Sequence, residues 1–373
     1  MRIVLTGGGT GGHIYPALAI GRQAAEEAPD SAILYIGSPK GLESRIVPAQ
    51  GIPFEPVEIT GFRRKISMEN VKTVLRFLKG VRRSKQLLRE FRPDVVVGTG
   101  GYVCGPVVYA AAKLGIPTLI HEQNAVSGLT NQFLARYADC VAVSFKDSLQ
   151  QFKRAKHVVY TGNPCATHVV RANRDKGRAS LGLPPGSRIV LMVGGSRGAK
   201  AINDAMVDMA PLIGRLPGVH FVFVTGESYY EQTMERLRKT TPKLPETLHL
   251  MPYLNNMPEV LSASRLVVSR SGASSLAEIT ALGVPSILIP SPNVTNNHQE
   301  ANARSLADAG AAELIVERSL SGAMLFERIY ALIENEGRLA EMGRAALALG
   351  MPQSAALIAN ELRRLTGKGA PDV

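Results

Sequence analysis

The sequence predicts an α/β protein of two domains that face one cleft, each domain a parallel sheet wrapped by helices. Twice, an apolar strand leads into a glycine-dense turn and then a helix, at residues 3–13 and again at 189–199. Glycine lets backbone N–H groups approach an anion closely, and the free amides at a helix start favour negative charge. A length of 373 residues suits two domains with a core each. Both domains are therefore expected to be of the nucleotide-binding type.

Apolar segments alternate with helical patterns along the chain, as a parallel sheet requires. In the first half the predicted strands are 2–6, 32–36, 94–98, 117–121, 140–143 and 158–161. In the second half they are 188–193, 220–224, 265–268 and 286–289, and helices over 327–349 and 354–365 close the chain. A basic stretch at 171–178 and a turn-rich one at 183–187 predict an interdomain passage, so we place the domains at 1–163 and 164–352.

Three scattered cysteines have neither the number nor the spacing of a disulfide framework or a zinc site. A reducing cytosol is the expected compartment. The chain starts directly on an apolar strand, which predicts that no signal peptide is present.

The formal net charge of +12 predicts an acidic partner, which could be nucleotide phosphate, anionic lipid or nucleic acid. The longest apolar stretch, 100–120, is interrupted by Lys113, Gly115 and Pro117 and is predicted to be a helix followed by a strand, so we expect no membrane span. We also find no nucleic-acid reader motif and expect no nucleic-acid partner.

The first turn fits Gly-x-Gly-x-x-Gly through Gly7, Gly9 and Gly12, which suggests a dinucleotide-dependent oxidoreductase. That function also needs an acidic residue at the end of the second strand to hold a ribose, and the sequence there is Ile-Gly-Ser-Pro at 36–39. His13, directly after the last glycine, either accepts a proton from a bound ligand or caps its own helix. The spacing favours neither interpretation.

The segment 269–278 predicts a strand, a tight turn and a helix whose first residues offer hydroxyl groups and free amides to a phosphate. Glu278 could accept two hydroxyl groups of a ribose, or be an ordinary solvated side chain. Two further loops, 121–128 and 297–303, are rich in amide and imidazole groups suited to sugar hydroxyls. No Asp-x-Asp pair occurs, so we expect no metal-bridged diphosphate.

Together these residues resemble the MurG family of bacterial cell-wall glycosyltransferases over nearly the whole chain. The motifs that carry the resemblance occur in the family's order, at 7–13, 121–124, 162–164, 194–196, 269–278 and 298–303. The resemblance implies a GT-B fold of two Rossmann-like domains. The N-terminal one would hold the acceptor lipid, and the C-terminal one would hold the UDP-sugar. The last helix, about 353–366, is expected to pack back on the N-terminal domain.

The resemblance also implies a role for each matching residue. His13 would be the catalytic base, and Asn124 would contact the N-acetylglucosamine. The other residues implied to bind UDP-N-acetylglucosamine are Thr10, Gly11, Gly12, Ser196, Leu254, Ala273, Ser274, Ser275, Glu278 and Gln299. Two positions depart from the pattern. At the first, Ala166 stands where some members have an arginine that contacts the donor, so either Arg171 or Arg197 substitutes or the contact is absent. At the second, His298 precedes Gln299 where other members have a glutamine pair.

The implied reaction is an inverting, metal-independent and cofactor-free transfer of N-acetylglucosamine to the 4-hydroxyl of the undecaprenyl-linked N-acetylmuramyl-pentapeptide, which converts lipid I to lipid II for peptidoglycan. Its implied place is the cytoplasmic face of the cell membrane, with cell-wall synthesis and division proteins as partners. A diacylglycerol galactosyltransferase of similar architecture is the alternative.

An amphipathic stripe supports contact with an anionic membrane surface. Apolar residues recur at helical spacing with lysines and arginines around them, and such a helix can lie in a membrane interface. The apolar members are Val71, Val74, Leu75, Leu78 and Val81, with Phe62 and Phe77 as further anchors. The alternative is that these residues pack into the core of the N-terminal domain.

Overall fold

The chain folds into two units, each built on one parallel sheet. The first unit comprises Met1–Thr167 together with the segment from Gln353 onward, and the second comprises His168–Pro352. This computed structural model describes residues 1–59 and 68–367. The predicted stripe residues Phe62 and the side chain of Val71 lie outside the described part.

Seven strands form the sheet in the described part of the first unit, in the order β3-β2-β1-β4-β5-β6-β7, and all pairs are parallel. The strands are β1 Arg2–Thr6, β2 Ala32–Gly37, β3 Phe54–Pro56, β4 Val95–Gly98, β5 Thr118–Glu122, β6 Cys140–Val143 and β7 Val158–Tyr160. The helices around them are α1 Gly11–Glu27, α2 Glu43–Ile46, α3 Met68–Phe91, α4 Cys104–Lys113, α5 Leu129–Leu134 and α6 Ala166–Val169, which runs into the second unit.

The second unit repeats the scheme with the parallel order β10-β9-β8-β11-β12-β13. Its strands are β8 Arg188–Val193, β9 Val219–Val224, β10 Leu248–Met251, β11 Leu266–Ser269, β12 Ser286–Leu288 and β13 Ala312–Leu314. Its helices are α7 Arg174–Ser180, α8 Lys200–Met209, α9 Tyr230–Thr240, α10 Met257–Ala263, α11 Ala273–Leu282, α12 His298–Asp308, α13 Gly322–Ile333 and α14 Glu336–Leu349.

The last helix, α15 Ser354–Thr366, packs against α1 of the first unit. Ile358 and Leu362 are buried with Ile3 and Leu5 of β1, because the apolar stripe of α15 faces the sheet. At the surface, Arg363 forms an ion pair with Glu27 at the end of α1.

In each sheet the strand order reverses direction beside the first strand of the unit. In the first unit this point lies between β1 and β4, and in the second between β8 and β11. Ligands of open α/β sheets bind outside the carboxyl ends of the strands at such a point. Both glycine-dense turns follow a strand at its own sheet's reversal point, which makes these two edges the places to look for a site.

The predicted α/β class with two parallel-sheet domains is confirmed, and most predicted strands lie within one residue of the observed ones. The strands β3, β10 and β13 were not predicted. The predicted helix over 327–349 is wrong in its extent: two helices occupy 322–349, because the Asn335 side chain accepts a hydrogen bond from the Arg338 N–H at 2.9 Å and starts a new helix there. No helix within the described residues is long and apolar enough to cross a membrane.

Candidate functional site

The first glycine-dense turn contacts the turn that follows β4. The Gly8 N–H donates to the Gly100 carbonyl at 3.2 Å, and a Cβ on Gly101 would lie 2.3 Å from the Gly8 oxygen. Thr99 donates its hydroxyl proton to the His13 carbonyl at 2.7 Å. The two turns are therefore held together at the reversal point, with the start of α1 beside them.

The His13 ring is fixed in one tautomer by this arrangement. Its Nδ1 lies 2.9 Å from the Gly8 carbonyl oxygen, and since a carbonyl only accepts, Nδ1 carries the proton. Nε2 is then the nitrogen with the lone pair, as a general base needs. Gly100 leaves room for the ring, because a Cβ there would lie 3.0 Å from Nε2. Nδ1 also lies 3.4 Å from the hydroxyl of Thr10, the N-cap of α1, so the role of His13 as a base stays a prediction.

A buried carboxylate that sequence reasoning missed supports the same turn. Glu43 is fully buried, and its two oxygens accept hydrogen bonds from the N–H groups of Gly9 at 3.1 Å and Ser38 at 3.0 Å. A Cβ on Gly8 or Gly41 would lie within 2.5 Å of this carboxylate. The one signal in the sequence is an acidic residue two positions after the turn-forming segment Gly-Ser-Pro-Lys-Gly at 37–41, since a buried carboxylate needs the backbone donors that a turn leaves free.

The loop after β5 is mostly committed to its own hydrogen bonds. The Nε2–H of His121 donates to the Gly162 carbonyl at 2.9 Å, and Gln123 donates to its Nδ1 at 3.0 Å. Burial lowers the pKa of His121 to about 4, so this ring is neutral at pH 7 and both of its nitrogens are engaged. Glu122 is also buried, and accepts from the backbone and side-chain N–H groups of Asn124 at 3.0 and 3.2 Å.

Of the four residues predicted to start a sugar-binding loop here, three are therefore interior residues. Asn124 keeps part of its surface on solvent and remains the candidate for sugar contact. The Ser148 hydroxyl donates a hydrogen bond to the Asn124 carbonyl at 2.9 Å, which fixes the backbone of this loop.

The second glycine-dense turn, after β8, is shaped by close backbone approaches. A Cβ on Gly194 would lie 2.4 Å from the Ala199 nitrogen, and one on Gly198 would lie 1.9 Å from the Thr225 oxygen. Ser196 and Arg197 are exposed at the tip of the turn. Both side chains can therefore reach an anion placed at this edge.

The turn after β11 is tied to the start of α12. Ser271 is buried and donates to the Gln299 carbonyl at 2.7 Å, while the Asn302 side chain donates to the Ser271 carbonyl at 3.2 Å. The Gln299 side-chain oxygen accepts from the Ser291 N–H at 2.9 Å. These bonds place Gln299 beside the residues that open α11.

The start of α11 holds polar groups that have no partner. No side chain caps this helix, whose N-cap is Gly272. In the part of the chain that the structure describes, the buried Ser274 hydroxyl has no hydrogen-bond partner, and no donor or cation contacts the Glu278 carboxylate. Burial raises the pKa of Glu278 to about 7, although part of the residue still reaches solvent. Unpaired polar groups at a helix start are typical of a binding site that awaits its ligand.

The structure thus brings the predicted residues to two edges. At the reversal point of the first sheet lie Thr10, Gly11, Gly12 and His13. Asn124 follows β5, the strand next to β4. At the carboxyl edge of the second sheet lie Ser196, Leu254, Ala273, Ser274, Ser275, Glu278 and Gln299. Leu254 is 6% exposed, so its side chain is buried.

The departure at position 166 has a structural consequence. Ala166 is buried in α6, where the guanidinium group of an arginine would be removed from solvent, whereas Arg171 and Arg197 are exposed. The role of each residue stays a prediction.

Comparisons with known proteins match the whole chain. Family models for the glycosyltransferase family 28 N-terminal domain and C-terminal domain match residues 3–143 and 189–360. A protein of Halalkalibacterium halodurans is 56% identical over 95% of this chain and 97% of its own length, and one of Bacillus cytotoxicus is 52% identical over 99% and 100%. Each is named UDP-N-acetylglucosamine--N-acetylmuramyl-(pentapeptide) pyrophosphoryl-undecaprenol N-acetylglucosamine transferase. A crystal structure of Acinetobacter baumannii MurG is 29% identical, with a TM-score of 0.76 over 97% of this chain and 99% of that one.

Proposed function

This chain belongs to glycosyltransferase family 28, and we propose that it transfers N-acetylglucosamine from UDP-N-acetylglucosamine to undecaprenyl-linked N-acetylmuramyl-pentapeptide, which makes lipid II from lipid I. The observation that carries the proposal is the 56% identity over 95% of the chain to a transferase of that name, together with the unpaired groups at the start of α11. The relatives favour neither the galactosyltransferase nor the oxidoreductase that the sequence left open.

The second unit binds the donor in this proposal. The free amides of Ala273, Ser274 and Ser275 at the start of α11 hold a phosphate group, and the Ser274 hydroxyl gains the partner that it lacks. Glu278 accepts the two ribose hydroxyls, which is the role left for a carboxylate with no donor of its own. The backbone of Leu254 holds the uracil, Ser196 contacts the diphosphate, and Gln299 binds the sugar hydroxyls.

The first unit binds the acceptor and supplies the base. Thr10, Gly11 and Gly12 present the amides of the α1 start to the acceptor diphosphate, and Asn124 contacts the N-acetylglucosamine. His13 Nε2 removes the proton of the 4-hydroxyl, whose oxygen attacks the anomeric carbon. The bond from that carbon to the UDP oxygen breaks, UDP leaves with the electron pair, and the configuration inverts.

The charge that develops on the leaving diphosphate is stabilised by oriented amides and hydroxyls rather than by a divalent ion. In the described residues, three side chains of the kinds that bind metals lie together: Cys140 on β6, His157 just before β7 and Glu361 on α15. This group lies away from every turn discussed above. We therefore expect turnover to be independent of metal.

A donor and metal test decides this proposal. Calorimetry with UDP-N-acetylglucosamine, UDP-galactose and NADH should give tight binding of the first alone, and the lipid I assay should give a β-linked product by NMR in the presence of chelator. Preference for UDP-galactose would replace the function with the alternative transferase. Loss of activity with chelator that returns only with magnesium or manganese would overturn the metal-free mechanism.

We also propose that the first unit lies on the anionic cytoplasmic face of the cell membrane, where cell-wall synthesis and division proteins are its expected partners. The support is α3, on which Val74, Leu75 and Leu78 are 45%, 55% and 58% exposed, among basic residues such as Lys79 and Arg82. Large apolar side chains exposed together mark an interaction surface. Among the stripe residues whose side chains the structure describes, the core alternative holds for Val81, which packs against the first-unit core. Phe77 is half-buried against Tyr109 and Phe133.

A further inference from the structure

A cavity lies in the second unit, at the edge of the sheet opposite to the proposed donor site. Its volume is about 450 Å³. Arg188 opens β8, Arg265 directly precedes β11 and Pro285 directly precedes β12, and all three line the cavity. The donor residues follow the other ends of these strands. Since β8 has six residues, the two edges lie about 20 Å apart.

Four arginines converge on this cavity. Arg174 and Arg178 come from α7, and Arg188 and Arg265 from the strand starts. Among the lining residues the one carboxylate is Glu336, which forms an ion pair with Arg265. The cavity therefore carries a strong positive potential.

Most of the hydrogen-bond donors of these arginines are unused. A guanidinium has five N–H donors. Arg188 donates to the Pro217 carbonyl at 3.0 Å, and Arg178 donates to Asp175 at 3.2 Å. Within residues 1–59 and 68–367, the Arg174 side chain has no hydrogen bond or ion pair, and the Nε of Arg178 is buried without a partner.

The structural alternative is that these arginines stabilise helix ends. The helices α10 and α11 both end at this cavity, and helix C-termini attract cations. Yet none of the four arginines hydrogen-bonds to a carbonyl of either helix among the described residues. Arg174 and Arg178 are four residues apart on a short helix, where like charges repel and lower helix stability. Helix stabilisation does not explain that pair.

We propose that this four-arginine cavity is a binding site for a phosphate group, distinct from the donor site. The planar fork of arginine matches phosphate oxygens in pairs, and several guanidinium groups around one space suit an ion with more than one negative charge. A phosphate there gives the buried Nε of Arg178 its partner and offsets the repulsion between Arg174 and Arg178. The phosphate belongs either to a soluble phosphorylated molecule or to a phospholipid headgroup.

Calorimetric titration of the full chain with inorganic pyrophosphate, in the presence of saturating UDP, tests the site. UDP occupies the proposed donor site, so the remaining binding comes from the cavity and from the acceptor diphosphate site of the first unit. The part that depends on Arg174 and Arg178 reports on the cavity. Arg174→Gln should weaken pyrophosphate binding about tenfold, the factor that corresponds to about 1.4 kcal/mol, and the double variant with Arg178→Gln should weaken it further. The Arg174 side chain has no described partner and lies four residues from the like charge of Arg178, so its replacement should not lower the thermal midpoint.

The matched control is Arg238→Gln, which removes an exposed arginine of α9 in the same unit. Equal pyrophosphate affinity in the wild type, Arg174→Gln and the double variant would overturn the proposal, as would the absence of saturable binding. Sedimentation with phosphatidic acid vesicles then identifies the source. Weaker sedimentation of Arg174→Gln than of Arg238→Gln assigns a lipid headgroup, and equal sedimentation with weaker pyrophosphate binding assigns a soluble phosphate.

Discussion

The two units place turns and helix starts at the carboxyl edge of a sheet, but they differ in how the carboxylate at that edge is bonded. In the first unit Glu43 accepts from the Gly9 N–H, and the Tyr35 hydroxyl donates to the Gly7 carbonyl at 2.7 Å, although the buried Thr6 hydroxyl has no partner among the described residues. In the second unit, no described residue bonds to the Ser274 hydroxyl or the Glu278 carboxylate.

This difference separates a preassembled edge from an incomplete one. Buried polar groups without partners cost free energy, and a protein keeps them where a ligand supplies the partner. The first unit is therefore expected to hold His13 in place before any substrate arrives. The second unit is expected to complete its hydrogen bonds only when the donor binds.

The largest expected effect tests the preassembled edge. His13→Ala should lower turnover about 10²–10⁴-fold, because the 4-hydroxyl loses the base that accepts its proton. Affinity for UDP-N-acetylglucosamine should be unchanged, since none of the proposed donor contacts is made by His13. Lipid II formation and calorimetric donor binding measure the two quantities.

His157→Ala is the matched control for this prediction. It removes a half-exposed histidine of the same unit that lies outside the turns. Near-normal turnover of His13→Ala would show that His13 is not the base. A parallel loss of donor affinity would show that donor binding and proton acceptance are not separate functions of the two edges.

The second prediction contrasts the two carboxylates through stability. Glu43→Ala should lower the free energy of unfolding by about 2–4 kcal/mol, because the N–H groups of Gly9 and Ser38 are left without acceptors in a buried place. Glu43→Gln should cost about half as much, since one amide oxygen still accepts. Urea denaturation at pH 8 measures both.

Glu278→Gln should change stability in the other direction at the same pH. The folded-state pKa of Glu278 is about 7 against an ordinary value of 4.5, so between these pH values the folded chain holds a proton that the unfolded chain has lost. The free energy of unfolding therefore falls as pH rises through this window, by up to about 3 kcal/mol and by less where solvent reaches the group. The glutamine variant should lack this fall. Destabilisation by both substitutions alike would erase the contrast between the units.

The sequence predicted the fold and the edges well, because both follow from local patterns. Strand β1 and the turn after it are adjacent in sequence, and a glycine-dense turn at the end of a buried strand has few other uses. The strands β3 and β13 were missed because each has three residues with a glutamate in the middle, so no apolar run marks them.

The partners of the site residues were beyond sequence reasoning. Glu43 meets Gly9 across 34 positions, and only the fold brings them together. The loop at 121–124 shows the opposite error: its polar composition predicted ligand contact, but three of its four residues are buried and hydrogen-bond within the protein. Composition cannot distinguish a polar group that awaits a ligand from one that is already satisfied.

The third prediction concerns donor binding at the carboxyl edge of the second sheet. Because an ionised Glu278 accepts the ribose hydroxyls and a protonated one accepts them more weakly, the Michaelis constant for UDP-N-acetylglucosamine should fall as pH rises through about 7. In Glu278→Gln it should be raised about tenfold at pH 8 and lose this pH dependence, with a smaller change in kcat. Initial rates between pH 6 and 8.5 measure it. A Michaelis constant that the substitution leaves unchanged would show that Glu278 does not hold the ribose.

The smallest expected effect extends the comparison to the outer surfaces of the two units. Leu75 and Leu78 on α3 of the first unit are 55% and 58% exposed, and Leu347 on α14 of the second is 54% exposed, so exposure alone does not distinguish them. Three basic residues, Arg76, Lys79 and Arg82, lie within four positions of the first pair on its helix, whereas Arg344 is the single basic residue that close to Leu347 on α14. Replacing Leu75 and Leu78 by serine should therefore lower sedimentation with phosphatidylglycerol vesicles about tenfold, since each leucine loses part of about 1.5–3 kcal/mol of burial in the membrane interface. Leu347→Ser should leave sedimentation unchanged. Equal losses in the two variants would mean that membrane contact follows exposed leucine wherever it lies, and that the first unit has no privileged face.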